Sequence, residues 1–429
     1  MPLILYYLLT GIVLIIMFSV LVAAHEFGHY LFARIFNMGV EEFAIGFGKP
    51  QLITWMKRQY RIPMQPGEVA SIEHEDTSKL DIEAAPRPPE DIKIIESPEG
   101  QFLEETTRFT VRAWPLGGFV RIKGMIPEED GSETTIAGGF YSKAPWKRFI
   151  VLLAGPTFSV LAGLAILIPL FMVEGTREFD NKPVIGAVTS KGPAEKAGLK
   201  AGDRVVSIDG KPISTFYEMN VIVRDSADKA LHFVVQRDSQ KLDLTVVPEL
   251  DNQETNLLDE NLKPTPIKRK QAKLKTEIPS HRVSVGFLKA TSNAAMVPIE
   301  AVASLAGVVK HPSSFKDNVS GPITISRFAF DTVKDGIPSI LELAALLSIS
   351  VGIFNLLPVA PLDGGQMTMA VAEMFRRGKR LSIQVQGMIN MVGLMCMCAL
   401  ILGVLFVDFG RLRSGNSVLK DPAPKKATK

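Results

Sequence analysis

The sequence contains little cysteine and little net charge. Only Cys396 and Cys398 occur among 429 residues, and both lie in an apolar run. Two cysteines in such a run cannot form a disulfide framework, and they lack the spacing of a cysteine zinc site. The net charge is only +3. The electrostatic signature of a nucleic-acid-binding protein is therefore missing, and we expect no nucleic-acid partner.

The N-terminal segment lacks charge altogether. No charged residue occurs from Leu3 to Ala24, which is about the length that a transmembrane helix needs. The first basic residue, Arg34, follows the apolar run, whereas a signal peptide carries its positive charge before it. We therefore expect a retained helix whose N-terminus lies outside the cell and whose C-terminal end faces the cytoplasm.

Further apolar runs indicate a membrane protein. Mean hydropathy is +0.18 although 22% of the residues are charged, a combination that fits membrane helices joined to a sizeable soluble part. Breaks at Pro156 and Pro358 predict irregular backbone, which is tolerated only where protein or a water-filled cavity covers it. We predict an α-helical polytopic protein with about four transmembrane segments, at residues 1–36, 148–173, 340–375 and 383–407.

The connection 37–147 between the first two helices contains two kinds of sequence. Its polar insertion, 57–105, is expected to be irregular. Alternating β-branched residues followed by paired glycines predict a β-hairpin at 106–123. The loop from Arg376 to Arg380 is short and basic, which predicts a cytoplasmic position. Counting helices then places residues 37–147 in the cytoplasm as well.

The same count places the segment between the second and third helices outside. Short β-branched runs with turns at Asp209-Gly210 and Arg237-Asp238 predict a β-rich domain at 183–250. Residues 251–339 are predicted to form an extended linker and a helix on the membrane surface. Residues 410–429 form a basic tail, which the helix count places outside.

The pentapeptide from His25 to His29 reads His-Glu-Phe-Gly-His. Histidines at i and i+4 share one face of a helix and can bind a single zinc ion, with Glu26 close to the open coordination position. Ionisable groups at membrane depth cost several kcal/mol unless they have partners, and a metal ion is such a partner. The alternative is a capped helix end with solvated polar residues.

A catalytic zinc site typically has three protein ligands and a water. Asp363 follows the third apolar run among two prolines and two glycines, and its carboxylate is a competent third ligand. The alternative is an Asp that caps the next helix. Asn355 is the nearest amide for binding a peptide backbone, or it packs helices together. In such a site a zinc-bound water would attack a peptide carbonyl, with Glu26 as general base.

These motifs, HEFGH and NLLP followed by LDGG, resemble the site-2 protease family of intramembrane zinc metalloproteases, especially bacterial members that regulate the sigma-E response. The resemblance covers most of the chain and extends to the segments Gly46–Gly48, Pro115–Val120, Ala154–Pro156 and Ser320–Ile323. It implies that His25, His29 and Asp363 bind Zn2+, that Glu26 is the catalytic residue, and that Asn355 binds substrate.

The resemblance also implies how substrate is held and how the outer domain folds. A membrane-entering β-hairpin would pair with an unwound substrate strand through Gly117, Gly118, Phe119 and Val120. Residues 192–210 resemble a PDZ domain, present once, which would bind a peptide or protein. Residues 285–287 would supply its closing strand. Three positions depart from the family pattern, although none is an expected ligand: Ser159, Ala360 and Gln366.

The implied function is regulated intramembrane proteolysis: an endopeptidase in the lipid bilayer of the bacterial inner membrane that cleaves transmembrane segments of single-span proteins. Anti-sigma factors and remnant signal peptides are both expected as substrates. The site would lie toward the cytoplasm and the PDZ domain outside. Two other classes fit less well. An inactive PDZ scaffold would be expected to lose at least one of the four site residues, and this chain keeps all of them; an ion transporter would show internal helix repeats, which the sequence does not show.

Overall fold

The computed structural model of the chain describes residues 3–69, 92–97, 100–126, 131–189, 192–262, 264–310, 321–334 and 336–414. Within them the chain divides into two compact units. The helical unit comprises the residues up to Leu170 and those from Phe287 onward, and the β-rich unit comprises Phe171–Gly286.

The helices, in chain order, are α1 (Leu3–Ile35), α2 (Pro145–Glu174), α3 (Pro193–Lys196), α4 (Phe216–Arg224), α5 (Phe287–Lys310), α6 (Pro322–Lys334), α7 (Ile337–Asn355), α8 (Asp363–Phe375) and α9 (Ile383–Ser414). The strands are β1 (Val40–Pro63), β2 (Ile92–Ser97), β3 (Gly100–Ile122), β4 (Thr176–Phe179), β5 (Arg204–Ile208), β6 (Lys211–Pro212), β7 (Leu231–Arg237), β8 (Gln240–Val246), β9 (Glu249–Leu258), β10 (Pro264–Lys273) and β11 (Ser280–Val283).

Four helices are long and apolar enough to cross a membrane: residues Thr10–Ile35 of α1, all of α2, all of α7, and Ile383–Gly410 of α9. A helix pairs its own backbone N–H and C=O groups, for which the hydrocarbon region of a bilayer offers no partners. The predicted number of about four spans is confirmed, and the architecture is that of a polytopic membrane protein. The third span ends at Asn355, whereas the predicted segment continued to residue 375.

The two prolines that were expected to interrupt these helices behave differently. Helix α2 continues through Pro156 and Pro169, so the prediction of irregular backbone at Pro156 was wrong. At Pro358 the prediction holds, because α7 ends at Asn355 and α8 begins only at Asp363. Helices α2 and α7 approach closely beside Pro156, where a Cβ on Gly352 would lie 2.7 Å from the Pro156 carbonyl oxygen.

The sheet of the helical unit has the order β1-β3-β2. Ile45 of β1 is paired with both Gly118 and Val111, so two stretches of β3 flank the start of β1. Residues 106–123 therefore pair with β1 rather than forming the hairpin that we predicted. The expected irregular structure of 57–105 was also wrong for its described residues, which belong largely to β1, β2 and β3. The rest of that insertion lies outside the described residues.

The core of the helical unit joins the sheet to the membrane helices. Tyr30 of α1, Phe43 of β1, Phe109 of β3, Val151 of α2 and Met367 of α8 belong to one buried apolar cluster. A second cluster packs α1 against α6 and α7 through Leu21, Ala329 and Leu343. Burial of these side chains holds the sheet against the end of α1, close to His25 and His29.

The β-rich unit contains the predicted strands in a sheet of order β6-β5-β7-β8. Its core extends beyond the predicted limit at 250, because Leu262 and Leu274 are buried against the same cluster as Phe233. Strands β9 and β10 pair with each other, so the expected loop is a hairpin. Strand β11 pairs with β4 and ends at Val283. Phe287 begins α5, so residues 285–287 are not the closing strand.

Candidate metal centre

Two histidines of α1 form the base of the site. His25 and His29 are one helical turn apart on the same face, and both are buried. Their Nε2 atoms are 3.3 Å apart, and their rings meet edge to face with centroids 4.9 Å apart. The i, i+4 spacing thus brings two imidazole donors to one point, as the sequence predicts.

The first residue of α8 completes the group. The Oδ2 atom of Asp363 lies 3.1 Å from Nε2 of His25 and 3.4 Å from Nε2 of His29. The following glycine allows this approach, because a Cβ on Gly364 would lie 2.2 Å from the carbonyl oxygen of Leu357. The start of α8 can therefore fold tightly against the end of the preceding turn, which carries Asp363 to the histidines.

The three donor atoms match a tetrahedral zinc site. Bonds of about 2.0–2.1 Å at tetrahedral angles place ligand atoms about 3.3–3.4 Å apart, and the observed separations are 3.1, 3.3 and 3.4 Å. Among the described residues, one group of possible ligands lies close enough together to bind a single metal ion: His25, His29 and Asp363. A carboxylate and two imidazoles are a donor set that zinc accepts.

Hydrogen bonds on the far side of each ring set its orientation. The His29 Nδ1–H donates to the carbonyl oxygen of Val151 at 2.8 Å, which leaves the Nε2 lone pair of the neutral ring free for a metal. Nδ1 of His25 is 2.8 Å from Oγ of Ser159. Ser348 of α7 in turn donates to the carbonyl oxygen of Ser159 at 2.7 Å. Three membrane helices therefore meet at this site.

The roles of Val151 and Ser159 were not predicted from the sequence, although the glycine within the Ala154–Pro156 sequence was an available signal of close helix packing. Ser159 was noticed only as a departure from a family pattern, and the Ala-Gly-Pro sequence at 154–156 precedes it by one turn. A Cβ at Gly155 would lie 2.2 Å from His29 Nε2, and one at Gly28 would lie 2.4 Å from the Ala154 carbonyl oxygen. These glycines let α1 and α2 approach closely enough for the hydrogen bonds to form.

A cavity of about 300 Å³ opens beside the three donors. Glu26 lines it and is half-buried, and its carboxylate lies within hydrogen-bond reach of the Val120 backbone N–H. Asn355 lines the same cavity, while its side-chain amide donates to the Val351 carbonyl oxygen at 3.1 Å. The cavity walls also include Val22, Ile122, Met125, Leu152, Pro361 and Leu362.

Of the four strand residues predicted to hold substrate, only Val120 lines this cavity. Val120 and Ile122 line it, whereas Gly117, Gly118 and Phe119 lie further along β3. Phe119 stacks on Phe47, with ring centroids 6.3 Å apart. A Cβ at Gly118 would lie 2.7 Å from the Ala44 carbonyl oxygen, so β3 lies very close to β1 at this point.

Comparison with known proteins identifies the group to which the chain belongs. The sequence profile of peptidase family M50 matches residues 13–98 and 99–400. The regulator of sigma-W protease RasP of Bacillus subtilis is 29% identical over 435 residues, covering 94% of this chain and 99% of RasP. The zinc metalloprotease RasP of Bacillus licheniformis is 28% identical over 436 residues, with the same coverage. The resemblance to site-2 proteases is thus confirmed, and the chain belongs to peptidase family M50, a family of zinc metalloproteases.

Proposed function

We propose that this zinc metalloprotease is an endopeptidase that cleaves transmembrane segments of single-span membrane proteins. The observation that carries the proposal is the position of the donor group. His25 and His29 lie within a membrane-spanning stretch of α1, and Asp363 joins them there through its Oδ2 atom. A cavity at such a place is suited to a substrate that is itself embedded in the membrane.

His25, His29 and Asp363 would hold the metal. Zinc, when bound, supplies a water whose pKa is lowered toward neutrality and polarises a carbonyl oxygen. Glu26 would act as the general base toward that water and would pass the proton on to the leaving amine. Its side chain lines the cavity beside Val120. The hydrogen bonds of Ser159 and Val151 hold the two imidazole rings in place during these steps.

Substrate would bind as an extended strand. Residues 118–122 of β3 pair with β1 on one side, while Val120 and Ile122 line the cavity. A peptide strand added at this edge gains backbone hydrogen bonds, and Asn355, which lines the same cavity, would bind its backbone near the cleaved bond. A helical substrate must unwind to pair in this way. We therefore expect cleavage within segments that contain helix-weakening residues such as Gly, Pro or Asn.

The orientation and outer domain complete the proposal. The site faces the cytoplasmic side of the bacterial inner membrane, as the basic loop from Arg376 to Arg380 indicates. The β-rich unit lies outside and is a PDZ domain that binds a peptide or protein and restricts which substrates approach. The relative named regulator of sigma-W protease favours anti-sigma factors as substrates, and remnant signal peptides are the second class.

The test uses the Glu26→Gln variant, which keeps the shape of the side chain but loses the base. We expect the purified variant to retain zinc and to copurify with uncleaved single-span proteins, while the parent chain cleaves them. The matched control is Glu300→Gln, which makes the same substitution at an acidic residue on α5 and should cleave normally. Cleavage by Glu26→Gln near the parent rate would overturn the assigned role. Failure of the parent chain to cleave any membrane-embedded segment would overturn the function itself.

A further inference from the structure

A buried ion pair joins two of the helices that build the metal centre. Arg148 of α2 donates through Nη2 to Oε2 of Glu373 on α8. The two side chains are only 7% and 2% exposed. Removing two charges from water is costly and gives little net stability, so a buried pair is weak evidence of a purely stabilising role. The position of this pair suggests a different role.

Each partner belongs to a helix that carries part of the centre. Arg148 lies one turn before Val151, whose carbonyl oxygen accepts the His29 hydrogen bond. Glu373 lies ten residues after Asp363 on the same helix, which corresponds to about 15 Å along the axis. The ion pair thus connects the helix that orients the histidines to the helix that presents the carboxylate.

Beside the packing of Met367 in the apolar cluster, a contact at each end of α8 restricts its direction. At its start, a Cβ on Gly365 would lie 2.4 Å from the backbone nitrogen of Ala360, so this end is held tightly by the preceding turn. At its far end, Glu373 bonds Arg148, and its Oε1 also accepts the Leu381 backbone N–H at 3.3 Å. A rigid helix held at both ends has a fixed direction. Without the far contact, α8 is held by its first turn and by the packing of Met367 in the apolar cluster, and its far end is less constrained.

The pair lies where α2, α8 and α9 meet. Leu152, Met369 and Gln386 surround Arg148 and Glu373 there, and the Arg148 guanidinium also lies 5.0 Å from the centroid of the Tyr141 ring. The charge-assisted hydrogen bond between Arg148 and Glu373 is directional, so it fixes the relative position of α2 and α8 more specifically than the surrounding side-chain packing does.

We propose that Arg148 and Glu373 are positioning residues that fix Asp363 against His25 and His29 and so determine how tightly the chain holds zinc. The inference rests on the proposed zinc ligands. Residues that orient a ligand from outside the coordination shell typically change metal affinity by about 10- to 100-fold. We expect the pair to act at the lower end of that range, because it acts on Asp363 through the length of a helix.

The experiment removes both charges together, so that neither is left buried alone. The full-length Arg148→Gln/Glu373→Gln variant is purified in detergent and its zinc is titrated with a chelator, beside a thermal unfolding curve. We expect about 10-fold weaker zinc binding and a lower kcat, with an unchanged KM and little change in Tm. The exchanged pair Arg148→Glu/Glu373→Arg restores the contact and should recover most of the affinity.

A matched control distinguishes positioning from general stability. Arg237→Gln/Asp203→Asn removes an ion pair from the β-rich unit and should leave zinc affinity unchanged. Parent-like zinc affinity and kcat in Arg148→Gln/Glu373→Gln would overturn the proposal. If that variant does not fold, Glu373→Asp retracts the carboxylate by one methylene. A several-fold loss of affinity would then support the proposal, and an unchanged affinity would overturn it.

The proposed ligand set is tested separately in the same titration. His29→Ala should lose zinc whatever the state of the ion pair. If His29→Ala keeps parent-like zinc, the metal is held elsewhere and the ligand assignment fails. If His29→Ala loses zinc while the doubly neutral variant keeps it, the ligand assignment stands and the positioning role alone fails.

Discussion

Replacing Gly155 with Ala would place a methyl group against the ring of His29. An ideal Cβ at residue 155 lies 2.2 Å from Nε2 and 2.5 Å from Cε1 of that ring. Nε2 is the atom proposed to bind the metal, so the new methyl occupies space needed at the site itself. The clash is with a ring held by the Val151 hydrogen bond and not with the end of a flexible side chain.

The size of the disturbance follows from these distances. Ordinary contact begins at 3.4 Å, so His29 and α2 must separate by about 1.2 Å. Zinc–ligand distances tolerate deviations of only about 0.2 Å, and a displacement near 1 Å at a reacting centre costs about 100-fold in rate. We therefore expect Gly155→Ala to lose bound zinc and at least about 99% of proteolytic activity, although alanine favours the helix by about 1 kcal/mol.

The assay compares this variant with Gly403→Ala. Gly403 also lies in a membrane-spanning helix. A Cβ at this position would meet no described atom within 4 Å apart from its chain neighbours and the backbone of its own helix. Zinc content, cleavage of a single-span substrate and Tm are measured on both variants. Gly403→Ala should equal the parent in all three. Parent-like zinc and activity in Gly155→Ala would show that α1 and α2 do not approach as described, and the reasoning would fail.

Three other predictions follow from single contacts. Ser159→Ala should weaken zinc binding about 10-fold by titration, because the hydrogen bond that orients His25 is lost; Ser159→Thr should retain affinity. Joining Phe179 to Ser280, which pair across β4 and β11, through a short Gly-Ser linker removes most of the β-rich unit. If this unit restricts substrate access as proposed, full-length substrates should then be cut faster; loss of all cleavage in a zinc-loaded protein would contradict that role. Hydrogen bonds from Arg237 outweigh burial and hold the pKa of Asp203 below its ordinary value, so this carboxylate stabilises the fold above pH about 4 and loses that effect as the pH falls further. Asp203→Asn should lower the free energy of unfolding by about 1.5–3 kcal/mol at pH 7 and should make this free energy depend less on pH below about 4. An unchanged dependence on pH would argue against this contact.

The group of metal donors was predictable from the sequence because its information is local. His25 and His29 follow the i, i+4 rule within an apolar run, and the prolines and glycines around Asp363 indicate a turn at membrane depth. The roles of these residues remain proposals, but their convergence on one point is what local patterns predicted. The four spans were predictable for a similar reason, because length and apolarity decide them.

The insertion at 57–105 shows where such patterns fail. Strand β3 does alternate, with Leu103, Glu105, Thr107 and Phe109 all buried. Two of these four side chains are polar, so the buried face of β3 is not uniformly apolar. The alternation of buried and exposed residues therefore cannot be recognised from the sequence. In β1 the residues 51–59 are exposed on both faces, and no alternation exists to be read. Strand pairing, not an apolar face, holds this part of the chain.

The hydrogen bonds behind the histidines could not be predicted, and the physical reason lies in distance along the chain. Ser159 contacts a residue 134 positions away, and the Val151 group is a backbone carbonyl that every residue possesses. Such partners are chosen by the crossing of α1 and α2, which Gly28 and Gly155 permit. A zinc motif in a membrane helix therefore specifies its ligands locally but relies on helix packing to orient them. For this reason small residues beside the motif carry as much of the site's geometry as the ligands do.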